Sequence, residues 1–164
     1  MKKNIQQLKS YKILLIGDSC EDVYSYGSID RKAFEDRPVG DGVSILNVSH
    51  VVEKPGMAKN VLKNLSALVQ NVDFITNSEI IRKSRFIDTR NNNKSILRVD
   101  YNDNVKPMML SRLLNIDTSV YDCIVISDYD KGFVSEQIAS TIVSDYKGKI
   151  FVDSKKKNLK KYEN

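Results

Sequence analysis

Three apolar runs in this sequence are each followed by an acidic residue, and this pattern limits the folds that the chain can adopt. The runs and their acids are Ile13–Ile16 before Asp18, Ile124–Ile126 before Asp128, and Ile150–Val152 before Asp153. Short continuous apolar runs are typical of strands that are buried on both faces. Because the carboxyl ends of parallel strands meet at one edge of an open α/β sheet, where ligands bind, the aspartates indicate a candidate site.

Length and charge favour one globular domain. The chain has 164 residues, of which 41% are hydrophobic and 29% are charged. That composition supports a real core and leaves little room for a second domain. The formal net charge is +5, and the last ten residues carry as many lysines, at 155, 156, 157, 160 and 161. A general nucleic-acid surface is therefore not indicated; this tail is interpreted as a solvated end, with a phosphate or nucleic-acid contact as the alternative.

The cysteine and histidine content argues against a metal site. Cys20 and Cys123 lack a CxxC or His-rich spacing, and His50 is the only histidine. Tetrahedral metal sites need further ligands at short spacing. The N-terminus lacks the apolar stretch of a signal peptide, and no run approaches the roughly 18 apolar residues of a membrane span, so a cytoplasmic location is expected.

The order of the segments predicts an α/β fold. Residues 18–42 are interpreted as a polar excursion with breakers at Gly27, Pro38, Gly40 and Gly42, before a possible edge strand at Val43–Val52. Helices are predicted at 57–69, from Pro107 and at Val134–Tyr146, and strands at Lys12–Ile16, Val72–Thr76, Ile124–Ile126 and Ile150–Asp153. This alternation predicts a mostly parallel sheet with helices on its faces.

A hairpin is predicted to leave that sheet directly. The segments Ile80–Asp88 and Ser95–Tyr101 alternate in polarity and are joined by Arg90-Asn91-Asn92-Asn93, whose asparagines tolerate left-handed conformations. Only a few residues separate the strand at Val72–Thr76 from the first of these segments. Because a parallel crossover needs a dozen residues or more, we expect the hairpin to form a flap.

Several common sites are missing from the sequence. There is no GxGxxG, no GxxxxGK[ST] and no GxSxG, so neither a nucleotide-binding glycine loop nor a serine nucleophile is indicated. Asp18 and Asp22 together could accept hydrogen bonds from adjacent hydroxyls of a polyol, with the alternative that both are loop or cap residues. Residues 55–60 place Gly56 at a helix start, where exposed N–H groups favour polar ligands. Residues 127–132 place a hydrogen-bond acceptor and a cation in a tight turn after a strand, but a turn without any binding role would have a similar sequence.

Taken together, these residues resemble the ribokinase-like (PfkB-type) carbohydrate kinases, and most closely the heptose-7-phosphate kinase branch. The resemblance covers nearly the whole chain in order. It consists of Ile13–Asp18 with Asp22 and Tyr26-Gly27; Glu53–Gly56 with Ala58 and Asn60-Val61; Lys83 and Arg85; Ile96–Asp100; Ser127–Tyr129 with Lys131-Gly132; and Val152-Asp153 with Lys155.

The resemblance implies a fold and a site. The fold is a truncated three-layer α/β/α domain over residues 1–164, with lid elements at about 43–52 and 79–101. The implied substrate ligands are Asp18, Asp22, Gly56, Asn60, Arg98 and Lys131, with Asp128 and Asp153 as further strand-end acids and no assigned catalytic residue or metal ligand. The implied cofactors are ATP and Mg²⁺, and the implied partners are a sugar or sugar phosphate and a second subunit bound through the lid hairpin.

Two departures from the family pattern change the expected activity. Met57 stands where the family usually has a second glycine, which affects substrate choice. The Gly-Ala-Gly-Asp signature, with the catalytic Asp and most of the nucleotide pocket, is absent. The isolated chain is therefore expected to hold the sugar-binding half without transferring phosphate, unless a second polypeptide supplies the rest. The alternative is a non-catalytic binding or assembly protein that kept the kinase scaffold.

Overall fold

The computed structural model describes residues 10–33 and 42–163, so the breakers at Pro38 and Gly40 lie outside the described residues. Its contacts divide these residues into two compact units. The first unit contains residues 10–20, 55–81 and 102–163, and the second contains residues 21–33, 42–54 and 82–101. The predicted lid elements at about 43–52 and 79–101 fall mainly in the second unit.

The first unit is built on a parallel sheet. Its strands are β1 (Lys12–Gly17), β4 (Asn71–Ile75), β7 (Cys123–Asp128) and β8 (Lys149–Ser154), in the order β4-β1-β7-β8. All three strand pairs are parallel. The continuous apolar sequence of β1 follows from this position, because a central parallel strand is buried on both faces. Leu14, Leu15 and Ile16 are completely buried.

Helices cover both faces of this sheet. Three α-helices lie in the first unit, at Ala58–Ser66 (α1), Leu110–Leu114 (α2) and Glu136–Asp145 (α3). On one face, α2 and α3 pack on the side chains of Leu14, Ile16, Ile124 and Ile126. On the other face, α1 approaches the sheet so closely that a Cβ on Gly17 would lie 3.0 Å from that of Ala58. The three-layer arrangement predicted from the sequence is confirmed.

The second unit contains most of a separate four-stranded sheet. Its strands are β2 (Ser19–Ala33), β3 (Val43–Met57), β5 (Ile81–Asp88) and β6 (Lys94–Tyr101), in the order β3-β2-β5-β6. Strands β5 and β6 form the predicted antiparallel hairpin. Its turn uses left-handed conformations at Asn92 (φ 50°) and Asn93 (φ 55°), which asparagine tolerates better than most residues.

Three predictions are corrected. The polar excursion predicted at residues 18–42 is wrong for residues 19–33, which form the long strand β2, and residues 34–41 lie outside the described residues. The alternation of small and polar residues in β2 suits a strand with one face exposed to solvent. The hairpin is not a two-stranded flap, because β2 pairs with β5. The helix predicted at 57–69 is shorter and ends at Ser66, and Val69 is buried beyond that end.

Strand β8 forms one edge of the parallel sheet among the described strands. Two of its apolar side chains are unusually open for a parallel strand: Phe151 is 56% exposed and Val152 is 39% exposed. Because these neighbours point to opposite faces, neither layer of helices covers this strand fully. None of the described helices has the length and apolar character required to cross a bilayer.

Candidate functional site

Asp18 organises the carboxyl edge of the parallel sheet. It lies between β1 and β2 and is completely buried. Its Oδ2 accepts hydrogen bonds from the N–H groups of Tyr129 (2.7 Å) and Lys131 (3.4 Å), and its Oδ1 accepts one from Phe133 (3.1 Å). Its backbone carbonyl accepts the N–H of Ala58 at 2.9 Å. Asp18 therefore ties the first residue of α1 and the loop at residues 129–133 to the end of β1.

The surroundings of Asp18 have two opposing effects on the pKa of its carboxyl group. Burial raises the pKa of the Asp18 carboxyl above its usual value, and the negative charge of Asp128 adds to the rise. The three backbone N–H groups lower the pKa but do not cancel the effect of burial. The two carboxyl oxygens of Asp18 thus accept three backbone hydrogen bonds, which fix the position of this side chain at the end of β1.

The loop at residues 129–133 has a backbone that few sequences allow. Asp130 and Gly132 both have positive φ values, of 56° and 108°. A Cβ on Gly132 would lie 2.6 Å from the carbonyl oxygen of Val105, so a side chain is excluded there. Lys131 is held by an ion pair between its Nζ and Asp103 Oδ2 at 2.5 Å, with only a fifth of its side chain exposed. The loop thus presents Lys131 as a partly neutralised cation.

The start of α1 has a strained backbone at Met57 and a solvent-exposed side-chain amide at Asn60. Met57 precedes the helix with φ 52° and ψ −132°, a conformation that glycine adopts readily and other residues rarely do. No side chain caps this end of the helix. Gly56, Met57 and Ala58 are buried, whereas Asn60 is exposed. Asn60 is therefore the side chain of the predicted ligand set that is most open to solvent at this edge.

Asp128, at the end of β7, is the centre of a buried polar cluster. Its Oδ2 accepts hydrogen bonds from the Nζ of Lys156 (2.6 Å), the hydroxyl of Tyr162 (2.5 Å) and the hydroxyl of Ser154 (3.1 Å). Its Oδ1 accepts the N–H of Asp130 at 2.9 Å. Because every one of these groups is a donor, the charge of Asp128 is compensated although none of its surface is exposed.

The two buried carboxyl groups differ in their acid–base behaviour. Burial acts to raise the pKa of Asp128, but the hydrogen bonds from Lys156, Tyr162 and Asp130 and the charge of Lys156 outweigh it, so the pKa lies below its usual value. Burial, followed by the contact with Asp128, raises the pKa of the Tyr162 hydroxyl. Tyr162 therefore stays a protonated donor, and Asp128 stays an ionised acceptor.

The remaining predicted residues of the site are placed differently. Asp153 is exposed on the edge strand β8. In the second unit, Asp22 is half-buried and accepts a hydrogen bond from Arg85 Nη1 at 2.6 Å. Arg98 forms a two-pronged pair with Asp100, with both N–O distances at 2.7 Å. Asp22 and Arg98 thus have ionic partners within their own unit.

Sequence reasoning misses three side chains that shape the carboxyl edge. Lys156 and Tyr162 belong to the tail that is interpreted from sequence as solvated, yet both contact Asp128. Asn77 accepts the N–H of Ser19 at 2.7 Å and donates to the carbonyl of Glu79 at 2.6 Å. The position of Lys156, three residues after a strand-end acid, is the available signal. No local pattern distinguishes Asn77 or Tyr162.

Comparison with known proteins finds similar sequences among the bifunctional HldE proteins. No protein-family model matches the chain. The chain is 27% identical over 176 residues to the bifunctional protein HldE of Nitratiruptor sp., which covers 88% of this chain and 36% of the relative. It is 30% identical over 190 residues to HldE of Sulfurimonas denitrificans, covering 94% of this chain and 39% of the relative. The chain thus spans well under half the length of these relatives.

Solved structures show the same fold. A point mutant of phosphofructokinase-2 from Escherichia coli superposes with a TM-score of 0.52 at 14% identity, covering 91% of this chain and 56% of that chain. A possible 1-phosphofructokinase from Thermotoga maritima gives 0.51 at 17% identity, with 92% and 56% covered. The tetrameric inhibited form of the E. coli enzyme gives 0.50 at 12% identity, with 93% and 57% covered. The resemblance drawn from the sequence is therefore confirmed: the chain is similar to HldE proteins over most of its length and has the fold of the ribokinase-like carbohydrate kinases, of whose solved chains it spans little more than half.

Proposed function

We propose that this chain is the sugar-binding part of a carbohydrate kinase of the heptose-phosphate kinase type. The observation that carries the proposal is the double attachment of Asp18, which holds both the start of α1 and the loop of Lys131 at the carboxyl edge of the sheet. This edge is where open α/β sheets bind ligands. The similarity to HldE proteins over most of the chain supports the sugar-phosphate class of substrate.

The residues at this edge suit a polyhydroxylated ligand. The exposed amide of Asn60 offers both donors and an acceptor, which can bind adjacent hydroxyl groups. Gly56 keeps the backbone in front of α1 free of a side chain. Lys131 can attract a substrate phosphate, although its pair with Asp103 reduces its effective charge. Asp22 and Arg98 are kept as candidate substrate ligands by resemblance alone.

The described residues do not fit the cofactors of the complete family. Mg²⁺ requires oxygen ligands, but the oxygens of Asp18 and Asp128 accept from N–H, O–H and ammonium donors. No cluster of three metal-ligating side chains occurs in residues 10–33 and 42–163. The Gly-Ala-Gly-Asp segment that would face ATP is absent from the sequence.

Titration calorimetry with sugar phosphates tests the binding site. Asn60→Ala is expected to weaken the binding of a heptose 7-phosphate by about 1–3 kcal/mol, because the variant loses a polar contact that the bound ligand would cover. Asn64→Ala is the matched control, since Asn64 is an exposed asparagine one turn further along the same helix. The control should bind as the wild type does. Equal affinity of the Asn60 variant and the wild type would place the ligand elsewhere.

A coupled ATPase and kinase assay tests the expected lack of catalysis. The isolated chain should show no turnover with ATP, Mg²⁺ and a sugar phosphate, since each missing electrostatic group typically costs several kcal/mol of transition-state stabilisation. Turnover that Asp128→Asn or Asp153→Asn abolishes would show a rebuilt active site. That result would refute the proposal of a sugar-binding part without activity.

A second candidate function is assembly through the β5–β6 hairpin. Not all apolar side chains of the hairpin are available to a partner, because Ile81 and Ile87 are buried. Ile96, Leu97 and Tyr101 on the outer strand β6 stay exposed, at 40%, 55% and 50%. Phe86→Asp combined with Leu97→Asp should convert a hairpin-linked dimer into a folded monomer, as measured by light scattering and circular dichroism. A wild type that is already monomeric would exclude this function.

A further inference from the structure

A small pocket lies between α2 and α3 in the first unit. It has a volume of about 130 Å³. Its apolar lining is formed by Leu113, Leu114, Ile116, Ile142 and Tyr146. Because apolar cavities of about 150 Å³ can hold a molecule as large as benzene, this pocket can accommodate a ligand body of about six heavy atoms.

The contacts of Tyr146 show that this pocket is separate from the candidate sugar site. Its hydroxyl donates to the carbonyl of Tyr121 at 2.8 Å, which fixes the ring as one wall of the pocket. Tyr121 comes two residues before the first residue of β7, whereas Asp128 is the last residue of that strand. Since a strand rises about 3.3 Å per residue, the pocket and the carboxyl edge lie at opposite ends of a strand that is about 17 Å long.

The polar part of the lining offers hydrogen-bond acceptors and a negative charge. Asp145, the last residue of α3, is exposed, and its Oδ1 accepts the hydroxyl of Ser144 at 2.6 Å. Within residues 10–33 and 42–163, the Oδ2 of Asp145 has no hydrogen bond or ion pair. Thr118 and Thr141 complete the lining, and their hydroxyls can accept or donate. The polar lining therefore suits a ligand group that is cationic and carries several N–H donors.

The end of α3 also favours a cation at this pocket. Carbonyl groups at the C-terminal end of a helix carry partial negative charge, and α3 has no basic residue in its last turn. The neighbouring cations are Lys147, whose Nζ donates to the carbonyl of Ser144 at 2.8 Å, and Arg112, which is exposed on α2. Neither cation lines the pocket, whereas Asp145 does. A positively charged ligand is therefore attracted, and an anionic ligand is repelled.

We propose that this pocket binds a small primary amine with a branched or cyclic apolar body. The body lies against Leu113 and Ile142, whose burial of apolar surface contributes to affinity. The ammonium group donates to the carboxylate of Asp145 and to the hydroxyls of Thr118 and Thr141. Hydrogen bonds between an ammonium and a carboxylate are stronger than those between neutral groups. This proposal concerns the first unit alone and does not depend on the sugar site or on the β5–β6 hairpin.

Three probes of similar size separate the recognition of charge from the recognition of shape. Titration of the wild type with isoamylamine, isoamyl alcohol or isovalerate is followed by heteronuclear NMR. Isoamylamine should shift the amide signals of residues 113–118 and 141–146 and bind about tenfold more tightly than either other probe. Asp145→Asn should raise the dissociation constant of isoamylamine about tenfold, because the charge of the acceptor is lost. Glu136→Gln makes the same change at an exposed residue at the start of α3, and it should leave that constant unchanged.

A second variant and a fourth probe complete the test. Thr141→Leu fills the pocket and should abolish the amide shifts, while circular dichroism shows a folded protein. Nα-acetyllysine amide carries the same ammonium on an unbranched stem and should bind more weakly than isoamylamine; tighter binding would assign the pocket to a lysine side chain of a partner protein and overturn the proposal. Equal affinities for isoamylamine and isoamyl alcohol would also overturn it. So would unchanged affinity in Asp145→Asn, or the absence of amide shifts with isoamylamine.

Discussion

The two units of this chain are stabilised by different means. The first has a core of aliphatic strands under helices, in which the completely buried side chains include Leu14, Leu15, Ile16, Ile124 and Ile126. The second has few buried apolar residues and several ion pairs, including Arg85 with Asp22, Arg82 with Glu21 and Glu53, and Arg98 with Asp100. The first unit buries a large apolar core, whereas the second buries few apolar residues and carries several ion pairs that are partly exposed to solvent.

The difference shows how the fold can accommodate a site. A tightly packed parallel sheet holds its strand ends in fixed positions, which a binding site requires. The exposed ion pairs of the second unit each contribute only about 0–1 kcal/mol, so the loss of one of them changes the stability little. We therefore expect substitutions in the first unit to have larger effects on stability than substitutions in the second.

The largest effect is expected at Asp128. Asp128→Ala removes the partner of Lys156 and leaves hydrogen bonds of Tyr162 and Ser154 unmade, which should lower the free energy of unfolding by about 3–5 kcal/mol. Urea denaturation followed by circular dichroism measures the change. Lys155→Ala is the control, since Lys155 is exposed and its backbone N–H, which the substitution keeps, is what contacts Asp128. If Asp128→Ala lowers the free energy of unfolding by less than about 1 kcal/mol, the polar cluster around Asp128 does not stabilise the fold as proposed.

The hydrogen bonds and the charge that Lys156 supplies to Asp128 also make the stability of the protein depend on pH. Because the folded-state pKa of Asp128 lies below its usual value of 3.8, its contribution is present above that value and is lost as the pH falls through the lower, folded-state pKa. The difference in stability between the wild type and Asp128→Asn should therefore be greatest near neutral pH and shrink in acid below the usual value. Urea denaturation at several pH values tests this, and a constant difference would refute it.

A slightly smaller loss is expected from the aliphatic core. Leu14→Ala should destabilise the protein by about 2–5 kcal/mol, through lost burial and the cavity that remains. Leu97→Ala makes the same chemical change at a residue that is half exposed in the second unit. It should change the free energy of unfolding by about 0.5 kcal/mol or less. Similar losses for the two variants would break the proposed contrast between the units.

A moderate effect is expected at Arg85. Its guanidinium donates to Asp22 and lies 5.1 Å from the ring centre of Tyr24, and about a quarter of the side chain is exposed. Arg85→Ala should cost about 1–2 kcal/mol after allowance for solvent screening. Arg98→Ala, at a more exposed pair, should cost less than about 1 kcal/mol. Amide hydrogen exchange at residues 82–101 measures the local loss of stability in each variant. Equal amide protection in Arg85→Ala and Arg98→Ala would contradict the prediction that the first substitution costs more.

The smallest effect is expected in the hairpin turn. Asn93→Ala forces a residue with a Cβ and no compensating amide into a left-handed conformation, at a cost of about 1 kcal/mol. Asn93→Gly should change stability by only a few tenths of a kcal/mol, because glycine adopts positive φ freely. Thermal denaturation of both variants provides the test. An alanine variant as stable as the glycine variant would show that this turn carries no conformational strain.

The contrast between the units also explains what the sequence can predict. Continuous apolar runs identify the strands of the first unit, since burial on both faces leaves a clear signal. Strand β2 escapes prediction because its fifteen residues mix glycine, serine, tyrosine and charge, a composition shared with loops. The hairpin is predictable from its turn asparagines, but its pairing with β2 depends on contacts that no local pattern encodes.

The candidate site shows the same limit. The strand-end position of Asp18 and Asp128 is predictable, but the partners of both side chains are not. Asp18 contacts residues more than 110 positions away, and Lys156 reaches Asp128 from a tail that looks solvated in sequence. Such contacts follow from the way strands assemble in three dimensions. The sequence therefore locates the edge, while the structure shows which of its side chains are buried and which are exposed.

The order of strands in the first sheet has a consequence for the synthesis of the chain on the ribosome. Strand β1 lies between β4 and β7, and its register places Ile13 opposite Cys123, 110 residues later. At about 5–20 residues per second, the ribosome needs roughly 5–20 s to produce that partner. Until then, one side of the most apolar strand has no neighbour. Newly made chains would therefore depend on holding factors, or on slow translation, more than the size of the protein suggests.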